Sequence, residues 1–223
     1  MSDSSYQTLH YEVKEHTAEI ILNRPPANLI DRDMTLEYHH ALSTADADPE
    51  VRVIVLAGNG NGLSGGVDLK YVEKFNSSDM KKFLELFYIE TMAIVRGLSK
   101  PIIAAVHGYA REGACTLAFA CDIIIAADDA DFGYPGVPNL AAPPGMHVWI
   151  LQRLIGRMKA AELIFTGKSL GAAQAERMGL ITKVVGAGSL MYEAEKMSAK
   201  IAEMSPLALK RTRKLLYEME DMN

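Results

Sequence analysis

Cysteine is nearly absent: Cys115 and Cys121 are the only two in 223 residues, and no CxxC or His/Cys spacing accompanies them. That excludes a disulfide-stapled scaffold and gives no support to a metal site, so two buried, reduced thiols are expected. Basic residues are also short of the acids, 23 Lys and Arg against 28 Asp and Glu, for a formal charge of -5 and a pI near 5.7. A nucleic-acid partner needs a basic face, and this balance argues against one. The single basic cluster, Lys210 to Lys214, reads as a solvated helix face. No apolar run approaches the ~20 residues of a membrane helix. The polar stretch Met1 to His16 shows no secretory signal. The expectation is therefore a cytoplasmic protein with no membrane partner. Pro/Gly/Ser-rich linkers, low-complexity tracts and a clear internal repeat are missing as well.

What is present is apolar material, 49% of residues, enough for one sizeable core. Short β-branched runs, Ala18 to Asn23, Val51 to Ala57, Pro101 to Gly108 and Asp122 to Ala127, read as strands covered on both faces. Asp31 to Asp46 reads as a helix with acids in its first turn. A second helix is expected to start with Ser78 as N-cap, its Met80, Phe83, Leu84 and Phe87 forming a core stripe. Beyond Gly145 the pattern is mostly helical, with one strand-like run, LITKVV, and a last helix capped by Ser205 with Pro206 at its first position. The fold class is α/β first and helical last.

The loop AGNGNGLSGGVDLK, Ala57 to Lys70, supports three readings. Gly60-x-Gly62-x-x-Gly65 fits the dinucleotide fingerprint, but that needs a helix opening at the glycines and a strand soon after. Gly62-x-Ser64-x-Gly66 fits a nucleophile elbow, with His107 and His147 as possible bases, yet Ser64 lies beyond the end of its strand. The third reading pairs this loop with GYAREGACTLAFACDIII, Gly108 to Ile125. Each is a strand followed by a turn of small residues, and Gly113 stands where a helix over 113–120 begins. Its N–H is expected to be free, and two such N–H groups at one point would stabilise a developing oxyanion.

These segments resemble the crotonase (enoyl-CoA hydratase/isomerase) superfamily. LSGGVDLK is similar to that family's F-S-A-G-A-D-L-K loop, and KPIIAAVHGYAREGACTLAFACDIIIAADDADFGYPGV to its long central segment. RPPANLID matches the loop near the CoA, and the likeness runs from about Ile20 to Arg213. The resemblance implies a core of repeated ββα turns over 1–156 holding an acyl-CoA site. It implies a mainly helical region over 157–223, shortened here, that builds a homotrimer or hexamer. The substrate would be a coenzyme A thioester, with no further cofactor and no metal. Val67 and Gly113 match the two oxyanion donors. Ala27, Gly65, Gly66, Asp68, Leu69 and Lys70 match the CoA-holding positions, although Lys70 taken alone reads equally as a solvated loop lysine.

The departures concern the acids. The family's two hydratase glutamates fall on Thr116 and Gly136, and an aspartate used by other members falls on Pro144. Neither Thr nor Gly offers a group with a pKa near the working pH, so ordinary hydration is not expected. Decarboxylation, isomerisation, C–C cleavage or thioester hydrolysis stay open, as does a non-catalytic acyl-CoA binder or assembly partner. The nearby groups are Glu112, Tyr134, Asn139 and His147. Glu112 replaces a family glycine and brings a carboxylate close, while its plainer reading is a charge turned to solvent or paired with Arg111. His147 reads as a helix histidine, Tyr134 as packing, Asp68 as a loop fastener, and Thr116 as a hydroxyl bonded to backbone or water.

Overall fold

The Val- and Ile-rich runs form the central layer of the molecule. The structure, a computed structural model, describes residues 6–133 and 145–220, the side chains of 145–147 and 220 excepted. Strands β1 (Leu9–Lys14) and β2 (Thr17–Leu22) pair antiparallel, and helix α1 (Arg32–Ala47) follows. Asp31 caps α1, its carboxylate accepting from the Met34 N–H at 2.9 Å. Three units of one plan come next. The first is β3 (Val53–Gly58), β4 (Gly62–Ser64) and helices α2 (Leu69–Val72), α3 (Ser77–Leu84) and α4 (Thr91–Gly97). The second is β5 (Ile102–Val106), β6 (Tyr109–Arg111) and α5 (Gly113–Phe119). The third is β7 (Ile123–Ala127), β8 (Asp131–Gly133) and α6 (Gly145–Ile155). Then follow α7 (Arg157–Thr166), β9 (Leu170–Gly171), α8 (Ala172–Arg177), β10 (Lys183–Val185), α9 (Leu190–Ala202) and α10 (Pro206–Glu220).

The long strands share one sheet, in the order β1-β2-β3-β5-β7-β10, and the short ones a second, β4-β6-β8-β9. Successive side chains of a strand point to opposite faces. Val53, Val55, Ala57, Ile103, Ala105, Ile125 and Ala127 therefore pack beneath α9, while Ile54, Leu56, Ile102, Ala104, Val106 and Ile124 join the main core. Each large aliphatic side chain buried this way contributes roughly 1.5–3 kcal/mol. The helical region after residue 157 is not set apart from the rest, since β9 pairs with β8 and β10 with β7.

Two local expectations need correction. The cap of α3 is Asn76, not Ser78: the Asn76 side-chain Oδ1 accepts from the Ser78 and Asp79 N–H groups at 2.8 and 3.0 Å. The basic cluster in α10 is only partly a solvated face. Lys210, Arg211 and Lys214 are exposed, but Arg213 is 3% exposed. Its guanidinium meets Asp122 at 2.8 Å and donates to the Leu98 and Val95 carbonyls at 2.7 Å each. It thereby ties α10 to the C-terminal end of α4 and to the start of β7. The polar N-terminal stretch also hides an edge strand, β1, whose alternating Leu9, Tyr11 and Val13 follow the strand period.

Candidate active site

Strands β4 and β6 lie parallel, so the turns that follow them emerge side by side. Gly66, at φ +91, sits where an added Cβ would lie 2.9 Å from the Arg111 carbonyl oxygen and 3.1 Å from the Glu112 Cβ. Only glycine permits so close an approach. An isolated parallel bridge then joins Ile30 to Val67. The Ile30 N–H donates to Gly66 O and the Asp68 N–H to Ile30 O, each at 2.8 Å. In a parallel ladder the residue between two such bonds directs its own N–H to the other side. There the Val67 N–H acts on the Glu112 carboxyl group, pulling its pKa down.

Gly113 opens α5, so its N–H has no partner within the helix. It donates to Glu112 Oε2 at 2.5 Å. One main-chain amide is thus bonded to the Glu112 carboxylate, and the Val67 amide, from a separate segment, favours its charged form. The free N–H expected at Gly113 is not found, because the side chain of the preceding residue takes it. Nor does Glu112 pair with Arg111, which pairs instead with Asp131. The cause is local: Glu112 lies at φ 46, ψ -107, a conformation L residues rarely adopt. That turns its Cβ against Gly66 and its carboxylate inward.

Tyr88, 3% exposed in a π-helical turn over Glu85–Glu90, donates its hydroxyl to Glu112 Oε1. Burial pushes the Glu112 pKa above the ordinary carboxylate value, against the opposing pull of the bonds from Tyr88, Gly113 and Val67. Burial and the neighbouring Glu112 charge push the Tyr88 phenol upward too, so it stays a proton donor. The bonds from Tyr88 and Gly113 both run toward Glu112, which suits an acceptor. The Phe87 ring closes the other side: an added Cβ at Gly113 would meet it at 2.8 Å. Tyr88 was not among the residues picked out from the sequence. Extending the Met80–Leu84 spacing by four more residues reaches it.

Thr116 is fully buried, and its hydroxyl has no hydrogen-bond partner among the described residues, so the backbone bond expected of it is not found there. A buried, unsatisfied hydroxyl is destabilising. Thr116→Val, which keeps the shape, is therefore expected to leave stability unchanged or raise it by about 1 kcal/mol. Chemical denaturation measures this; a loss of that size would mean the hydroxyl has a partner.

The expected CoA positions frame the same loop. The Gly65 N–H donates to Ala27 O at 2.8 Å. Asp68 caps α2, accepting from the Lys70 and Tyr71 amides at 3.1 and 3.3 Å. Arg24 bridges Asp68 at 3.0 Å and Asp31 at 2.9 Å. Burial raises the Asp68 pKa, but the Arg24 guanidinium and the two amides outweigh it and hold the carboxyl below its usual value. Asn28 adds three side-chain N–H bonds to Asn59, Gly62 and Leu63 carbonyls, so the loop from Arg24 to Asp31 is stapled along the second segment. Leu69 and Lys70 lie exposed at the start of α2. Tyr134, Gly136, Asn139 and Pro144 lie outside the described residues, as does the side chain of His147, whose backbone belongs to α6.

The two competing motif readings lose their footing. Ser64 is fully buried, donating to Asn28 O at 2.6 Å and accepting from the Gly66 N–H at 3.0 Å, so it is a turn fastener and not an exposed nucleophile. The glycines from Gly60 to Gly65 lead into strand β4 and open no helix. His107 bonds to Gly60 O at 2.9 Å.

A spiral of long-strand, short-strand and helix units is the architecture of a crotonase. The chain belongs to that family: the enoyl-CoA hydratase/isomerase family model matches residues 12–222. It is 37% identical over 206 residues to the probable enoyl-CoA hydratase echA8 of Mycobacterium tuberculosis, covering 92% of this chain and 79% of that one. It is 32% identical over 209 residues to the crotonyl-CoA hydratase of Syntrophomonas wolfei, covering 92% and 80%. Among solved structures, Pseudomonas aeruginosa DspI superposes with a TM-score of 0.93 at 29% identity, covering 98% of this chain and 90% of that one.

Proposed function

We propose that the protein acts on an acyl-CoA thioester, holding its carbonyl oxygen on the Val67 and Gly113 amides and stabilising an enolate there. The observation that carries this reading is the helix-opening Gly113 N–H bonded to an anionic oxygen, on a turn packed against the loop that carries Val67. Preorganised amides in a water-poor site are worth most where negative charge develops. Loss of CO₂ from the acyl group, or of an α-proton to the Glu112 carboxylate, leaves the bonding electron pair as an enolate on the held oxygen. Both routes dispense with the two water-activating glutamates that Thr116 and Gly136 replace. Family membership and the relatives named enoyl-CoA hydratase support the thioester class. Decarboxylation, isomerisation or thioester hydrolysis is favoured over hydration.

Incubation with malonyl-CoA, a 3-enoyl-CoA and crotonyl-CoA, with chromatography of the CoA products, tests this. Turnover is expected on one of the first two, and slow or no hydration of crotonyl-CoA. Rapid crotonyl-CoA hydration would contradict the reading. The second reading, a non-catalytic acyl-CoA binder or assembly partner, is favoured by the Gly113 amide already taken by Glu112 and by Thr116 and Gly136 standing where the two glutamates would be. Calorimetric binding of CoA esters without turnover of any of them would select it.

A further inference from the structure

We propose that Glu112 is an internal competitor for the site's own ligand: its carboxylate holds the Gly113 amide, and a thioester carbonyl binds there only by displacing it. This rests on the acyl-CoA reading above and adds to it the residue that sets affinity for the acyl end. Each amide has one hydrogen, and that of Gly113 is committed to Glu112 Oε2 at 2.5 Å. A second oxygen placed at the same point would leave both bonds bent and long. The competitor is built in. Glu112 is anchored by a backbone conformation that presses its Cβ on Gly66, and Tyr88 holds its other oxygen.

The two acceptors are unequal. Hydrogen bonds to an ionised carboxylate are stronger than those to a neutral carbonyl. A neutral thioester therefore gives up part of its binding energy in displacing Glu112, whereas an enolate oxygen matches the carboxylate it replaces. Displacing Glu112 costs the ground state and the enolate the same free energy, so it weakens acyl binding in both, and only the stronger bond of the anionic oxygen offsets that cost. On release from Gly113 the side chain keeps Tyr88 as a donor, so its charge is not stranded.

The test is isothermal titration of wild type, Glu112→Gly and Glu112→Gln with butyryl-CoA and with free CoA, which has no acyl carbonyl. If the internally bonded state is about 90% populated, removing it tightens butyryl-CoA binding by about tenfold. That is expected for Glu112→Gly, with free CoA unchanged within about twofold. Glu112→Gln keeps the shape but lowers acceptor strength, so about threefold tightening of butyryl-CoA is expected. It also serves if Glu112→Gly proves poorly folded by circular dichroism. Unchanged butyryl-CoA affinity in the folded variants overturns the inference while leaving the acyl-CoA reading intact. Equal tightening of both ligands overturns it as well, since the effect would then lie away from the carbonyl. Failure of every form, wild type included, to bind either ligand contradicts the acyl-CoA reading itself, and the inference falls with it.

Discussion

Replacing Gly113 with proline is expected to lower turnover by about two orders of magnitude, the usual effect of losing one oxyanion donor. Proline suits the first position of a helix, where an N–H has no helical partner to lose. Its ring does intrude on Phe87, which an added Cβ would already meet at 2.8 Å. Gly113→Ala carries that intrusion and keeps the N–H, so the comparison of proline with alanine isolates the donor. Steady-state kinetics on the substrate found in the CoA panel supplies the readout. Similar rates for the two variants would mean the Gly113 amide does not hold the reacting oxygen. Thr116→Ala is expected to change the rate by less than about tenfold, well below a lost oxyanion donor; a complete loss there would assign the hydroxyl a direct chemical part.

The second large effect falls on stability. Arg213→Ala is expected to cost about 3–5 kcal/mol, because it leaves Asp122 and the Val95 and Leu98 carbonyls without their shared donor in a buried setting. Arg213→Lys recovers only part, since one ammonium cannot reach an acid and two carbonyls in the planar fork that a guanidinium offers. Urea unfolding followed by circular dichroism measures both. A loss under about 1 kcal/mol for Arg213→Ala, the size typical of an exposed pair, would return α10 to the solvated-face reading.

Much of the scaffold is written plainly in the chain. The runs that become β2, β3, β5 and β7 carry β-branched residues on both faces, and Asp31, Ser205 and Pro206 mark helix starts by their chemistry. The repeat was not legible because its second strands, β4, β6 and β8, are three residues long and lack room for a period. Asn76 and Ser78 are both good caps, and only the backbone geometry decides between them. Arg213 looks like its basic neighbours until Asp122, 91 residues away, is placed beside it.

At the site, the resemblance supplied Val67 and Gly113, and the structure places the loops that carry them side by side, with the Gly113 amide on Glu112. What stayed hidden is the direction of Glu112. Spacing gives no sign that a glutamate will take a positive φ, and the ordinary expectation sends its charge to water. Tyr88 was hidden for the same reason, since its importance comes wholly from the acid it meets.

A crystal structure of the protein with butyryl-CoA would test the central claim most directly. The thioester oxygen should lie within hydrogen-bond distance of both the Val67 and Gly113 nitrogens, with the Glu112 carboxylate moved off Gly113. A bound thioester whose oxygen lies elsewhere, with Glu112 still holding the Gly113 amide, would contradict it.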